Sequence, residues 1–258
     1  MAEEAVQHSA EKGVSIHLAP DVIGHVFGVP ITNTTFTVWC VMLLLVAGAL
    51  LMRRKLSMIP GKVQVLVELL IGGAYDYIKD VLESDALARK FFPLIMTIFL
   101  FILGANWFGL LPGVTSIGFT AMHDGHEKFI PFLYPANTDL NVTIALSIIA
   151  FLAIEIAGFV LVGFLKYAGK FVNFKSPLGF FIGIIELFSE LARLVSFSFR
   201  LFGNIFAGKV LLLITIFFVP FILPVPIMAF ELFVGFIQAF VFAVLTLFFI
   251  KLAVTEPH

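Results

Sequence analysis

Six ionisable side chains, Glu186, Glu190, Arg193, Arg200, Lys209 and Glu231, interrupt the otherwise apolar last third of the sequence. An ionisable group in a membrane-length apolar run costs about 2.5–3.5 kcal/mol on insertion scales, so each marks a candidate site. Glu186, Glu190, Arg193, Arg200 and Asn204 fall at offsets of 0, 4, 7, 14 and 18. At 100° per residue they form one helical stripe, flanked by Ser189 and Ser196. Glu231, Gly235 and Gln238 share a second face on the following apolar segment. Along a helix, Arg200 lies about 21 Å from Glu186, and Lys209 about 14 Å beyond Arg200. This spacing suggests two wet zones separated by one cation. Buried carboxylates and amines can exchange protons because desolvation moves them toward neutrality, whereas arginine keeps its charge. An arginine in a proton path therefore acts as a barrier and an electrostatic partner, not as a relay.

The elements that must position these groups follow from composition. Of 258 residues 60% are apolar and 13% charged, against roughly 45–50% and about 25% in soluble domains. The class is an integral membrane protein. A formal charge of −1 leaves no basic excess for a nucleic-acid backbone, so nucleic acid is not an expected partner. The single cysteine, Cys40, excludes an intrachain disulfide and a cysteine-built metal site. The expected fold is all-α, with five membrane-crossing helices at about 33–52, 91–111, 140–165, 177–219 and 227–251. An amphipathic helix at about 60–82 lies on the cytoplasmic surface, its apolar residues Val63, Leu66, Val67, Leu70, Ala74, Ile78 and Val81 recurring every three or four positions. Basic residues at Arg53, Arg54, Lys55 and again at Lys166, Lys170, Lys175 mark the cytoplasmic side, and the Lys- and Arg-poor 112–139 loop marks the outside. This gives an external segment at 1–32 without a removable signal peptide, then one membrane domain at 33–258, N-terminus outside and C-terminus cytoplasmic. The fourth run has no turn signal. As a helix it would reach roughly 64 Å, twice the hydrocarbon thickness of about 30 Å, so it must tilt steeply or break.

Plainer readings compete for several residues. Glu186, Glu190 and Arg193 can form an ordinary helical charge network. Arg200 can pair structurally with Glu190 or Glu231. Lys209 can snorkel to headgroups, and Glu155 can either pair across helices or line a channel. Gly179 and Gly183 form a common helix-contact motif. His123, His126 and Asp124 lie in an external loop expected to be flexible, where solvated side chains are favoured over a metal site. No metal or cofactor is expected. The absence of a GxxxxGK[ST] pattern excludes a P-loop nucleotide site.

Ser196-Phe-Ser-Phe-Arg200-Leu-Phe-Gly-Asn204, followed by Ala207-Gly208, resembles the signature of subunit a of F-type ATP synthases. Ile59-Pro-Gly-Lys-Val-Gln64 with Glu68, Asn106-Trp-Phe-Gly-Leu-Leu-Pro112, Asp139-Leu-Asn-Val-Thr143 and Gln238-Ala-Phe-Val-Phe-Ala-Val-Leu-Thr246 are similar to the family's other motifs, in its order. The resemblance runs from about Pro60 to the C-terminus. It implies a non-catalytic, ion-translocating stator subunit that couples proton flow through two offset half-channels to c-ring rotation and ATP synthesis. By that resemblance Arg200 faces the ring carboxylate and keeps the half-channels from short-circuiting. Asn204, Gln238 and Ser196 match polar positions near it, and Glu186 matches a carboxylate toward the cytoplasmic half-channel. The family often carries an acid and a histidine where this sequence has Lys209 and Glu231; Glu231 is the expected outer relay, with Lys209 tuning it. The implied partners are the c-ring, peripheral-stalk b subunits, lipid and the rest of the F0F1 complex. The implied location is a bacterial plasma (inner) membrane. The competing reading is a self-contained small-ion secondary transporter or channel, which predicts inverted repeats and broken half-helices.

Overall fold

The computed structural model describes residues 20–26, 28–54, 56–57, 60–111, 113–123, 126–169 and 177–255. The hairpin β1 (Val22–Val26) and β2 (Val29–Thr32) leads into helices α1 (Asn33–Arg54), α2 (Lys62–Leu82) and α3 (Asp85–Leu110). A second hairpin, β3 (Gly118–His123) and β4 (His126–Pro131), precedes α4 (Leu140–Val162), the short α5 (Phe164–Ala168), α6 (Pro177–Phe218) and α7 (Pro224–Val254). Five helices, α1, α3, α4, α6 and α7, are long and apolar enough to cross a membrane.

The helix ends follow local chemistry. α3 begins at Asp85, upstream of the expected Phe91, because the Ser84 hydroxyl accepts from the Leu87 amide and Asp85 complements the first turn. Arg89 and Lys90 are thus helical. α4 stops at Val162, before the expected residue 165, where Gly163 adopts φ 96°, and α5 follows. Pro224 and Pro226 open α7 instead of closing α6, since a first turn tolerates a missing amide hydrogen. α6 ends at Phe218 and is one unbroken helix of 42 residues, about 63 Å long.

The bundle is built around α7, which packs on α3, α4, α6 and the end of α2, while α1 touches the rest mainly through α3. Two apolar clusters run along it. One joins Ile78, Leu82, Phe91, Ile154, Leu247 and Ile250; the other joins Ile98, Ile102, Phe197, Leu201, Ile205 and Phe242. Alanines 88, 150, 157, 239, 243 and 253 are buried in these clusters, as expected where close backbone approach, and not water exclusion, holds helices together. On α2 only Ile78 and Leu82 are buried. Val63, Leu66, Leu69 and Leu70 stay exposed, so most of its apolar stripe is not covered by this chain.

Both hairpins were unexpected. β1–β2 lies in the N-terminal segment, and the loop expected to be flexible pairs Gly118↔Pro131 through His123↔His126 in one antiparallel ladder. A Cβ at Gly118 would overlap the Ile130 carbonyl, so the close strand approach needs glycine there. Residues 1–19, Lys55, Asp124, Lys170 and Lys175, together with the side chains of His123 and His126, lie outside the described part.

Polar ties fix the hairpin end. Asp139 is buried, accepts from the Asn141 amide at 2.9 Å as the α4 cap, and accepts from Thr34 Oγ1 of α1 at 2.7 Å. The Tyr134 amide donates to Thr37 Oγ1 at 2.9 Å. At the opposite end Lys251 donates to Glu83 at 2.6 Å, and this hydrogen bond and the ammonium charge hold the exposed Glu83 carboxyl below its usual value. Asp139→Ala removes the cap and leaves Thr34 without its buried acceptor. It is expected to cost about 1–3 kcal/mol, read as a lower midpoint of thermal unfolding in detergent.

Candidate functional site

Two recesses take up several of the polar residues of α6 and α7. The first, at the hairpin end, is a cavity of about 170 Å³. Asn106 of α3, Thr138, Gly208 and Lys209 of α6 and Glu231 of α7 line it, among leucines, isoleucines and the Thr115 and Pro135 side chains. The second is a groove of about 260 Å³ between α6 and α7, lined by Ser189, Arg193, Ser196, Arg200, Leu245 and Phe249 among others. Residues of α6 line both, and neither recess shares a residue with the other.

In the cavity, Glu231 is 5% exposed and its carboxylate packs on the backbone of α6 at Gly208. A Cβ at Gly208 would overlap that carboxylate, so glycine is what lets α6 receive an acid from α7. Lys209 Nζ is buried and finds no hydrogen-bond acceptor among the described residues; it lies 2.9 Å from the Tyr134 ring centroid. A ring face attracts a cation and is the contact seen here. Lys209 therefore points inward and does not snorkel. No ion pair within 4.0 Å joins Lys209 to Glu231 among the described residues, although both face the same cavity.

The backbone around Glu231 is held by α3. Asn106 donates to the Gly235 carbonyl at 2.9 Å and accepts from Asn137 at 2.7 Å, and the Trp107 indole donates to the Leu232 carbonyl at 3.0 Å. Asn106 Cβ sits so near Gly235 that a side chain there would stand 3.0 Å from it. These bonds set the rotation of α7 and thus the direction of Glu231.

In the groove, Arg200 is exposed on α6 and its Nη2 donates to Ser196 Oγ at 3.3 Å. Among the described residues no carboxylate lies within ion-pair distance of it, so neither Glu190 nor Glu231 is its partner. Glu190 instead accepts from Arg193 at 2.6 Å. Asn204, one turn beyond Arg200, is exposed between the two recesses. Gln238, on the Glu231 face of α7, and Glu186, near the start of α6, are half-buried and line neither.

The expected residues are thus sorted into two groups, Ser196 with Arg200 and Lys209 with Glu231. The roles of Gly208, Tyr134, Asn106 and Asn137 around them escaped sequence reading. An asparagine inside an apolar span was the available signal for Asn106; Tyr134 and Asn137 lie in a loop whose path only the tertiary structure reveals. Among the described residues no cluster of three or more metal-ligating side chains occurs.

A bundle of five membrane-length helices, with a permanent cation that no carboxylate among the described residues pairs and a buried acid on the neighbouring helix, defines a multi-pass membrane protein. Residues 35–251 match the family model "ATP synthase A chain". ATP synthase subunit a of Moorella thermoacetica is 34% identical over 234 residues, covering 91% of this chain and 96% of that protein. Subunit a of Gloeobacter violaceus is 37% identical, covering 88% and 85%, and subunit a 1 of Syntrophotalea carbinolica 35%, covering 85% of each. The chain belongs to the ATP synthase A chain family.

Gly208→Ala forces a methyl group into the Glu231 carboxylate and is expected to cost about 1–3 kcal/mol by overpacking. Glu231→Ala should relieve it. A double-mutant cycle on unfolding midpoints in detergent should give a coupling of at least about 1 kcal/mol, whereas additive costs would mean that the two residues do not touch.

Proposed function

We propose that this chain is the ion-translocating stator subunit of a rotary ATP synthase in a bacterial plasma membrane. It holds no nucleotide chemistry of its own. It works beside a c-ring, is anchored by peripheral-stalk b subunits and lipid, and forms one membrane domain with the N-terminus outside and the C-terminus cytoplasmic. The observation that carries the reading is Arg200. It is a side chain that cannot deprotonate, exposed on an apolar helix, with the Ser196 hydroxyl as its hydrogen-bond partner and no carboxylate within ion-pair distance among the described residues. A bare cation at that depth requires an anion from a partner, and a rotor carboxylate supplies it.

In this mechanism a proton enters through the hairpin-end cavity, passes Glu231, and neutralises a rotor carboxylate, which can then move into lipid. Lys209, across the same cavity, adds positive charge that favours release toward the rotor. After a turn of the ring the carboxyl loses its proton in the groove on the Glu186 side, where water stabilises the anion. Arg200 attracts that anion and blocks a direct proton path, while Ser196, Asn204 and Gln238 orient water and the guanidinium around it. Two features support a divided path: the cavity and the groove are separate, and Arg200 lies in the groove. The membrane potential, worth about 2.3 kcal/mol per charge per 100 mV, then gives rotation its direction. Protons are taken as the coupling ion.

Arg200→Ala, made in the intact complex in vesicles, is expected to abolish proton-driven ATP synthesis while the complex still assembles. Passive proton leak should persist or rise, because the barrier between the two recesses is gone. Retained coupled synthesis would refute the reading.

A further inference from the structure

The groove contains two arginines but only one is available as a charge. Arg193 and Arg200 are seven residues apart on α6, two turns on one face, about 10.5 Å along the axis. Among the described residues Arg200 has no carboxylate within ion-pair distance. Arg193 is held on both sides: its Nη1 donates to Glu190 at 2.6 Å, and its guanidinium lies 3.8 Å from the centroid of the Phe249 ring on α7. Glu190 is 2% exposed, so its charge is directed into the protein. There it faces Tyr167 of α5, whose buried phenol is raised above its usual value by burial first and by the negative charges of Glu155 and Glu190 next. Gly158 of α4 leaves room for that ring, since a Cβ would overlap it. Glu190 thus reaches the α4–α5 side of the bundle while Arg193 covers α7.

We infer that Glu190 is a positioning residue that cancels the charge of Arg193, so that a mobile carboxylate entering the groove meets a single attractive cation, Arg200. This deepens the proposed function and rests on it. Without Glu190, Arg193 would be a second free cation two turns from Arg200. A carboxylate could pair there, one stop short of its position, and be retained. At an effective dielectric constant near 20 a unit charge about 10.5 Å away shifts a pairing equilibrium roughly tenfold. The ring contact alone does not remove that charge, because a cation–π contact attracts a cation without neutralising it.

The test uses the intact complex in vesicles, reading ATP synthesis and ATP-driven proton pumping. Glu190→Gln should slow both roughly tenfold. Glu190→Asp, which keeps the charge, should stay near wild type, and Glu190→Gln combined with Arg193→Gln should recover most of the lost rate because both charges leave together. A purely structural ion pair predicts the reverse for the double variant, in which the bond is still missing and nothing is regained. Unimpaired Glu190→Gln, or a double variant as slow as Glu190→Gln alone, overturns the inference. If Glu190→Gln does not assemble, the double variant decides: assembly with restored coupling supports charge cancellation, and failure overturns it. Arg200→Ala in the same preparation separates the two levels. If it retains coupling the proposed function fails. If it abolishes coupling while Glu190→Gln is harmless, only the inference fails.

Discussion

The arrangement turns on the Arg200 guanidinium, which stays charged and meets no carboxylate among the described residues. A cation of this kind is costly on an apolar helix, and the usual remedy is an internal acid. Such an acid exists in the same stripe of α6, Glu190, but it is engaged by Arg193 at 2.6 Å. Glu231 is directed against Gly208 on the far side of Arg200. Arg200 is therefore left with the Ser196 hydroxyl, which orients the side chain and cannot balance its charge. On the proposed function this deficit is what draws a rotor carboxylate to the surface of α6.

The rest of the bundle keeps that deficit in place. α7 fixes α6 through Phe197 and Leu201, which share one buried apolar cluster with Ala239 and Phe242, and Phe197 also lines the groove beside Arg200. α3 in turn fixes α7, because Asn106 and Trp107 bind two carbonyls of the turn that follows Glu231. The hairpin end is tied to α1 and α4 through Asp139 and the threonines. Those of Asn106 and of Thr34 with Asp139 are buried, and all satisfy backbone and side-chain groups that lipid could not, so they also hold the orientation of the helices.

Much of this was legible in the sequence. Five apolar runs of spanning length, the stripe through Arg200 and the opposing Glu231 face follow from periodicity and the cost of charge in lipid. What was not legible depends on contacts between distant segments. Arg89 and Lys90 fell outside the expected 91–111 span because basic residues mark a membrane boundary, whereas Ser84 and Asp85 had already started the helix. The last span was expected to begin only at residue 227, but Pro224 and Pro226 belong to its first turn, where proline is accepted. For Lys209 snorkelling to the headgroups stood as the plainer alternative to tuning Glu231, because its neighbours are apolar. Its inward turn depends on Tyr134, which only the path of the 132–139 segment brings beneath it. The hairpins escaped because their strands are short and their partners adjacent, so neither shows the long alternation that sequence reading relies on.

The unbroken length of α6 connects these points. A membrane helix of ordinary length would present one polar site near one surface. At 42 residues, α6 carries Glu186 near its start, Arg200 near its middle and Lys209 beyond, all on one rigid rod. A break at Arg200 would let the two halves adjust separately, and the spacing between groove and cavity would no longer be fixed. Continuity converts sequence offset into distance, with the hydrogen-bonded backbone as the ruler. Because the hydrocarbon is only about 30 Å thick, such a rod must lie steeply inclined or extend past it. Inclination spreads its polar residues sideways as well as in depth. On the proposed function this is how one helix serves two recesses that must never coincide.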